Sequence, residues 1–213
     1  PGRRLTAHPG INRLAFTGSV PTAGVISKAA AENIVPLSYE LGGKSPLVVF
    51  EDADLDLAVE IGVEQFDNAG QVCLKAARML VHSSLVEEFT RRVVAGAEAL
   101  RQGDPREEDT DVSALISRRH FDQISGFVER AIADGARPLL GGGPNDDLGG
   151  LYFRPTILVD AKPDAEIMTE ESSGPWSPSS PSTPRTRPSA APTTPASAWR
   201  RRWSRATPDR AER

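Results

Sequence analysis

A thiol and a carboxylate are the two side chains whose neighbours best equip them for covalent chemistry. Cys73 is the one cysteine among 213 residues. It closes the string Phe66-Asp-Asn-Ala-Gly-Gln-Val-Cys73, at a predicted helix-to-strand junction. A thiol turns nucleophilic where backbone N–H groups or a nearby cation stabilise the thiolate. A Gly-Gln-x-Cys loop can offer a substrate both the thiol and free amides. The competing reading is a small buried hydrophobe, because free cysteine packs readily in cores. Glu40 ends a predicted strand and precedes Leu41-Gly42-Gly43-Lys44-Ser45-Pro46. A carboxylate beside flexible glycines can turn toward a cleft as a general base. A solvated loop acid is the alternative.

Other strings carry less. Gly42-Gly43-Lys44-Ser45 resembles a phosphate loop, but position 38 is Ser where that motif needs Gly, and Pro46 leads into a strand where it needs a helix. Phe16-Thr17-Gly18-Ser19 is a predicted strand-to-helix turn, where a phosphate could meet helix amides, although it is not G-x-G-x-x-G. His8, His82 and His120 fall in a loop, a strand end and a helix, in no metal-binding pattern, so no metal is expected. Glu107-Glu108-Asp109 with Asp111 reads as a solvated loop.

These residues need a scaffold, and the pattern supplies one. Strands are predicted over 11–17, 34–39 (irregular because of Pro36), 47–50, 79–82, 138–140 and 151–159. Helices are predicted over about 22–33, from the Asp52, Asp54 and Asp56 region to Phe66, from a Ser84-to-Glu87 capping box to Leu100, and from a Ser117 cap through Asp134. Asn68-Ala69-Gly70 ends the second of these helices and Gly135 the fourth. Strands alternating with helices indicate an α/β layered domain with a largely parallel sheet.

Composition bounds the rest. The chain is 38% hydrophobic and 25% charged with net charge −4, and its mean hydropathy is −0.34. No apolar run approaches the roughly 20 residues of a membrane span, so no membrane partner is expected. The negative charge argues against a nucleic-acid partner. A lone cysteine excludes a disulfide framework and suits a reducing, cytoplasmic setting. The chain opens Pro1-Gly-Arg-Arg with no initiator Met and no apolar leader, so it reads as a cut through a longer protein. Residues 172–213 contain no Leu, Ile, Val, Met, Phe or Tyr, and hold eight of the 18 prolines. Eight arginines against Asp209 and Glu212 give this tail +6, which leaves −10 on residues 1–171. Such a Pro/Ser/Arg-rich tail cannot offset its ordering entropy and is expected to be disordered.

Four strings together carry a resemblance. FTGS at 16–19, ELGGKSP at 40–46, FDNAGQVC at 66–73 and TEE..GP at 169–175 stand in the order and spacing of the NAD(P)-dependent aldehyde dehydrogenase superfamily. The chain resembles the middle of a family member more than twice its length. The resemblance implies a fold: residues 1–39 as the end of the dinucleotide-binding domain, 40–171 as much of the catalytic α/β domain, and 172–213 as a tail. It implies NAD or NADP as cofactor, a small aldehyde as substrate, and homo-oligomers among full-length relatives. It implies that Cys73 is the catalytic nucleophile and Glu40 the general base, that Gly18 and Ser19 receive the cofactor's pyrophosphate, and that Glu171 binds the nicotinamide ribose. Cys73 would then attack the aldehyde to give a thiohemiacetal, oxidation would yield a thioester, and Glu40 would activate the water that releases the acid.

Three departures stand out. Ala23 replaces the family's glycine after FTGS, and its methyl is expected to crowd the cofactor. Ser172-Ser173 replaces an apolar-aromatic pair. The resemblance stops at Pro175. Moving the reading frame by one base in a GC-rich code turns 176–189 into VVSVVPFDTEDEAV, a buried strand and an acidic helix start, so the tail is read as out-of-frame translation. The fragment is expected to be weakly active or inactive. The alternatives are a non-catalytic chain with a structural or binding role, a cofactor-independent thioester or ester hydrolase using Cys73 and Glu40, and an Arg-rich tail that binds nucleic acid.

Overall fold

The computed structural model of the chain describes residues 1–182. It divides into two units, Pro1–Gly43 and Lys44 onward. The sequence placed this boundary at residue 39. It lies later because strand β2 (Leu37–Leu41) pairs with β1 (Leu14–Gly18) as far as Gly18 opposite Leu41, so Glu40 belongs to the first unit. Gly42-Gly43 forms the break.

The first unit is small. Helix α1 (Gly2–Thr6), unforeseen from sequence, precedes β1; α2 (Val20–Ala31) links β1 to its parallel partner β2. Pro36 sits just before β2 and not within a strand, and its carbonyl accepts a bond from the Leu14 N–H at 3.0 Å. Ala23, Ala30 and Val35 are the buried apolar side chains of this unit.

The second unit is built on a five-stranded sheet in the order β3-β4-β7-β6-β5. Its strands are β3 (Ser45–Val49), β4 (Ala76–His82), β5 (Arg137–Leu140), β6 (Thr156–Val159) and β7 (Trp176–Ser182). All neighbours are parallel except β5, which runs antiparallel to β6. Helices α3 (Leu55–Val63), α4 (Val86–Glu98) and α5 (Arg118–Ala133) bury apolar faces into one core with the sheet, and α6 (Glu166–Thr169) precedes β7. Fully buried Phe66, Phe89, Phe153, Leu47, Met79, Ile124 and Ile157 anchor that core, each contributing about 1.5–3 kcal/mol by leaving water.

Two of the described helices start on side-chain caps. The Asp54 carboxylate accepts the Asp56 and Leu57 amides, and the Ser117 hydroxyl accepts the His120 amide. The expected Ser84 capping box is not made: the Ser84 hydroxyl bonds the His82 Nδ1 at 2.8 Å, and α4 starts at Val86 without a side-chain cap. A nearer partner captured the hydroxyl.

The tail also departs from expectation at its start. Ser172, Gly174 and Pro175 are buried, and the backbone of 176–182 forms β7, the central strand between β4 and β6. Backbone pairing needs no aliphatic side chain, and the flanking strands present buried Met79, Val81, Ile157 and Leu158 around the slot. Residues 183–213, the remainder of the expected disordered tail, lie outside the described residues.

Candidate active site

In the first unit, parallel register sets Thr17 opposite Glu40 and Gly18 opposite Leu41. Gly18 and Glu40 therefore share the C-terminal edge of this sheet, the edge at which open α/β sheets receive ligands. Gly18 has no room for a side chain, because an added Cβ would strike the Phe16 ring. Ser19 is the N-cap of α2, yet its hydroxyl bonds Thr22 Oγ1 at 3.0 Å and caps no helix amide. Glu40 is exposed. Ala23 is 4% exposed. Its carbonyl accepts the Ser27 hydroxyl at 2.9 Å and the Tyr39 hydroxyl at 3.2 Å. The methyl expected to crowd a cofactor thus packs inside the unit.

In the second unit, Cys73 is exposed, which removes the buried-hydrophobe reading. It stands in a turn closed by the Lys75 N–H donating to the Val72 carbonyl at 3.1 Å. The backbone leading to it is unusual. Asn68, Ala69 and Gly70 hold φ of 49°, 52° and 68° in succession. Left-handed backbone costs a non-glycine residue on the order of 1–2 kcal/mol, so buried Ala69 needs surroundings that hold it there.

Those surroundings are glutamines and a lysine. Buried Gln65 donates to the Ile61 carbonyl at 2.5 Å and accepts the Ala76 amide, pinning the first residue of β4. Gln71 donates to the Asn68 carbonyl at 3.1 Å and accepts the Ile116 amide at 3.0 Å. Lys75 donates its ammonium to the Gly174 carbonyl. Gly70 lies against that same carbonyl, where a Cβ would overlap it. Of these, Gln71 was visible in the Gly-Gln-x-Cys string. Gln65 and Lys75 carried no signal, and a buried lysine is rare enough that sequence reasoning places it at the surface.

Parallel pairing sets Ser45 opposite Ala76, so Lys44 and Lys75 lie side by side just before β3 and β4. The segment 170–175 leads into β7 at the same edge. Cys73, Lys44, Lys75 and Glu171 therefore gather at the N-terminal edge of three parallel strands. Arg78, on β4, reaches the Met168 carbonyl at 3.4 Å. Burial, reinforced by Arg78, lowers the Lys44 amine to about 7, against the opposing pull of Glu171 and Glu170. Burial, reinforced by Lys44, lowers the Lys75 amine to about 7. Desolvation also lowers Arg78. Partial desolvation raises the Glu171 carboxyl, while Lys44 and a hydrogen bond from Ser173 pull it back down.

Among the described residues no group of His, Cys, Asp and Glu could hold a metal ion, and no helix is long and apolar enough to cross a membrane.

Known proteins resemble this chain in sequence and fold. The profile of the aldehyde dehydrogenase family matches residues 1–178, three residues past the point where the resemblance stopped. Betaine aldehyde dehydrogenase from Staphylococcus aureus, solved with NAD+, is 33% identical and superposes with a TM-score of 0.81 over 85% of this chain and 37% of its own. An NADP-dependent enzyme from E. coli is 35% identical, with a TM-score of 0.81 over 84% of this chain and 37% of its own. A 3,6-anhydro-L-galactose dehydrogenase is 35% identical, with a TM-score of 0.80 over 84% of this chain and 39% of its own. The chain thus spans less than two fifths of each of these structures. With a profile match covering most of its length, the chain belongs to the aldehyde dehydrogenase family.

Proposed function

We propose that this chain carries the catalytic groups of a nicotinamide-dependent oxidation of aldehydes to carboxylic acids, in a cytoplasmic setting. One observation carries the reading: the exposed Cys73 thiol, presented by a strained turn that buried side chains hold in place. In this scheme the Cys73 sulfur adds to the aldehyde carbon, giving a thiohemiacetal. Backbone amides of the turn donate to the developing oxyanion. The thioester formed on Cys73 is then hydrolysed by water that Glu40 deprotonates.

The residues present fit a dinucleotide. The Gly18–Ser19 turn, closed to any side chain and placed at the head of α2, suits a pyrophosphate. Glu171, a partly desolvated carboxyl, suits ribose hydroxyls. When bound, NAD or NADP supplies the two-electron acceptor; the NAD+ of the S. aureus enzyme and the NADP dependence of the E. coli enzyme support either. Gly18, Ser19 and Glu171 address only the pyrophosphate and one ribose. Losing firm placement of the nicotinamide costs several kcal/mol of barrier. We therefore expect the 213-residue chain alone to oxidise aldehydes weakly or not at all, while retaining acyl chemistry at Cys73.

The test uses p-nitrophenyl acetate, an activated ester that needs no cofactor. Acetylation should appear by mass on Cys73 and vanish in Cys73→Ala. Glu40→Gln should prolong the acetyl-enzyme by about 10²-fold or more, the usual weight of a general base. Labelling that survives in Cys73→Ala, or no acetylation at all, overturns the proposal.

A further inference from the structure

Lys75 has no part in the chemistry just described. Its side chain nevertheless occupies the most demanding position at the site. It is the second residue after Cys73, is buried, and donates to a carbonyl that lies 99 residues away in sequence. A lysine gains nothing from such a position unless the bond it makes matters, because desolvating an ammonium is costly.

We propose that Lys75 is a positioning residue that clasps the Gly174 carbonyl and so holds the Cys73 turn and the Glu171 segment together as one unit. The inference rests on the reading of Cys73 and Glu171 as thiol nucleophile and cofactor contact. Two features of the backbone make the clasp specific. The Cys73 turn runs directly into β4, and the Glu171 segment runs directly into β7, its parallel neighbour. Gly70, on the near side of the turn, has no side chain, and the space a Cβ would take is filled by the Gly174 carbonyl and the Lys75 amine together. Nothing bulkier could let the amine through. Gly174 is itself closed on its other side by Ile124 of α5, so the carbonyl is held from both directions.

The charged and titratable groups around the clasp come from every element packed on it. Lys44 flanks it before β3, Arg78 lies on β4, Glu170 and Glu171 lie on the segment before β7, and His120 of α5 bonds the Ser173 carbonyl. Burial, reinforced by repulsion from Lys44, brings Lys75 deprotonation close to neutrality. Opening the clasp hydrates Lys75 and returns its amine toward 10.5, so the opened segment binds protons that the clasped one does not, and the clasp tightens as pH rises above about 7.

Amide hydrogen exchange of residues 171–174 in the full chain tests this, from about pH 6 to about pH 9 and corrected for intrinsic rates. In the unaltered chain, local protection should rise by about tenfold over that range while staying below the level set by global unfolding, because the opened segment leaves Lys75 hydrated and more protonated than the clasped one. A residue that only stabilised the fold would move 171–174 together with the rest of the core. In Lys75→Met, which keeps the length and removes the donors, protection should be low throughout and show no pH step. Protection of 171–174 that follows global stability in the unaltered chain overturns the clasp, whether or not the variant folds. So does a folded Lys75→Met with unchanged protection. A pH-dependent clasp in a chain whose Cys73 takes no acetyl group from p-nitrophenyl acetate leaves the clasp standing and overturns the catalytic reading instead.

Discussion

At Ser172 a hydroxyl is buried, 5% exposed, with no hydrogen-bond partner among the described residues. A buried hydroxyl left unpaired costs about 1–3 kcal/mol, and removing it relieves that cost without opening a large cavity. Ser172→Ala should therefore stabilise the chain by about 1 kcal/mol, which raises Tm by roughly 2–4 °C in a chain of this size. Thermal unfolding followed by circular dichroism checks it; a lower Tm would mean that the hydroxyl has a partner. Ser172 was visible in the sequence as a departure from an apolar pair, and its burial explains why an apolar residue suits the position. Cys73, Glu40, Gly18 and Glu171 were singled out in the sequence because each sits in a short string whose neighbours are themselves demanding. Lys75 was not. Its two neighbours, Leu74 and Ala76, say nothing of a carbonyl reached only once β4 and β7 lie side by side.

At the scale of elements, β7 is where sequence and structure pull hardest against each other. Helices α3 to α5 were legible because each has a one-sided apolar pattern, and α2 because of its alanines. Strand β7 was not, because Trp-Ser-Pro-Ser-Ser-Pro-Ser has neither alternation nor β-branched residues. Pro178 and Pro181 also lack the N–H that a central strand donates. Pro178 stands opposite Leu158 and Pro181 opposite Val81, in the middle of the sheet. Long-range demand from β4 and β6 sets the strand there, and local propensity opposes it. The frame-moved reading of these seven positions, VVSVVPF, has the residue types that a buried parallel strand favours. A chain with residues 176–182 replaced by that sequence should be more stable by about 3 kcal/mol, since several aliphatic side chains would be buried where serines now stand. That corresponds to roughly 6–12 °C in Tm. A Tm equal to that of the unaltered chain, or below it, would count against the sequence reading of 176–182 as out-of-frame translation of a core strand.

The whole molecule divides its tasks unevenly. The first unit contributes the turn of Gly18 and Ser19 together with Glu40, and buries little apolar surface of its own: Ile34 is 89% exposed, Val25 65%. A two-stranded sheet of that kind is marginal in water. The second unit holds the large core, and within it the paired amines of Lys44 and Lys75 tie stability to pH. Both amines are lowered from 10.5 to about 7 in the folded chain. Between those values the unfolded chain binds protons that the folded chain does not, so stability rises with pH across that window and is flat below it. The sign is opposite to that of a salt-bridged lysine, whose contribution is lost as pH rises. Urea unfolding followed by circular dichroism, which reports chiefly α4 and α5, should show a gain on the order of 2 kcal/mol from about pH 7 to about pH 9. Lys75→Met removes one of the two titrations and eases the other, since Lys44 loses the positive neighbour beside it. Its stability should therefore vary less with pH than that of the unaltered chain. Equal slopes for the two chains would show that Lys75 stays charged in the folded state, paired more tightly than its bond to Gly174 accounts for.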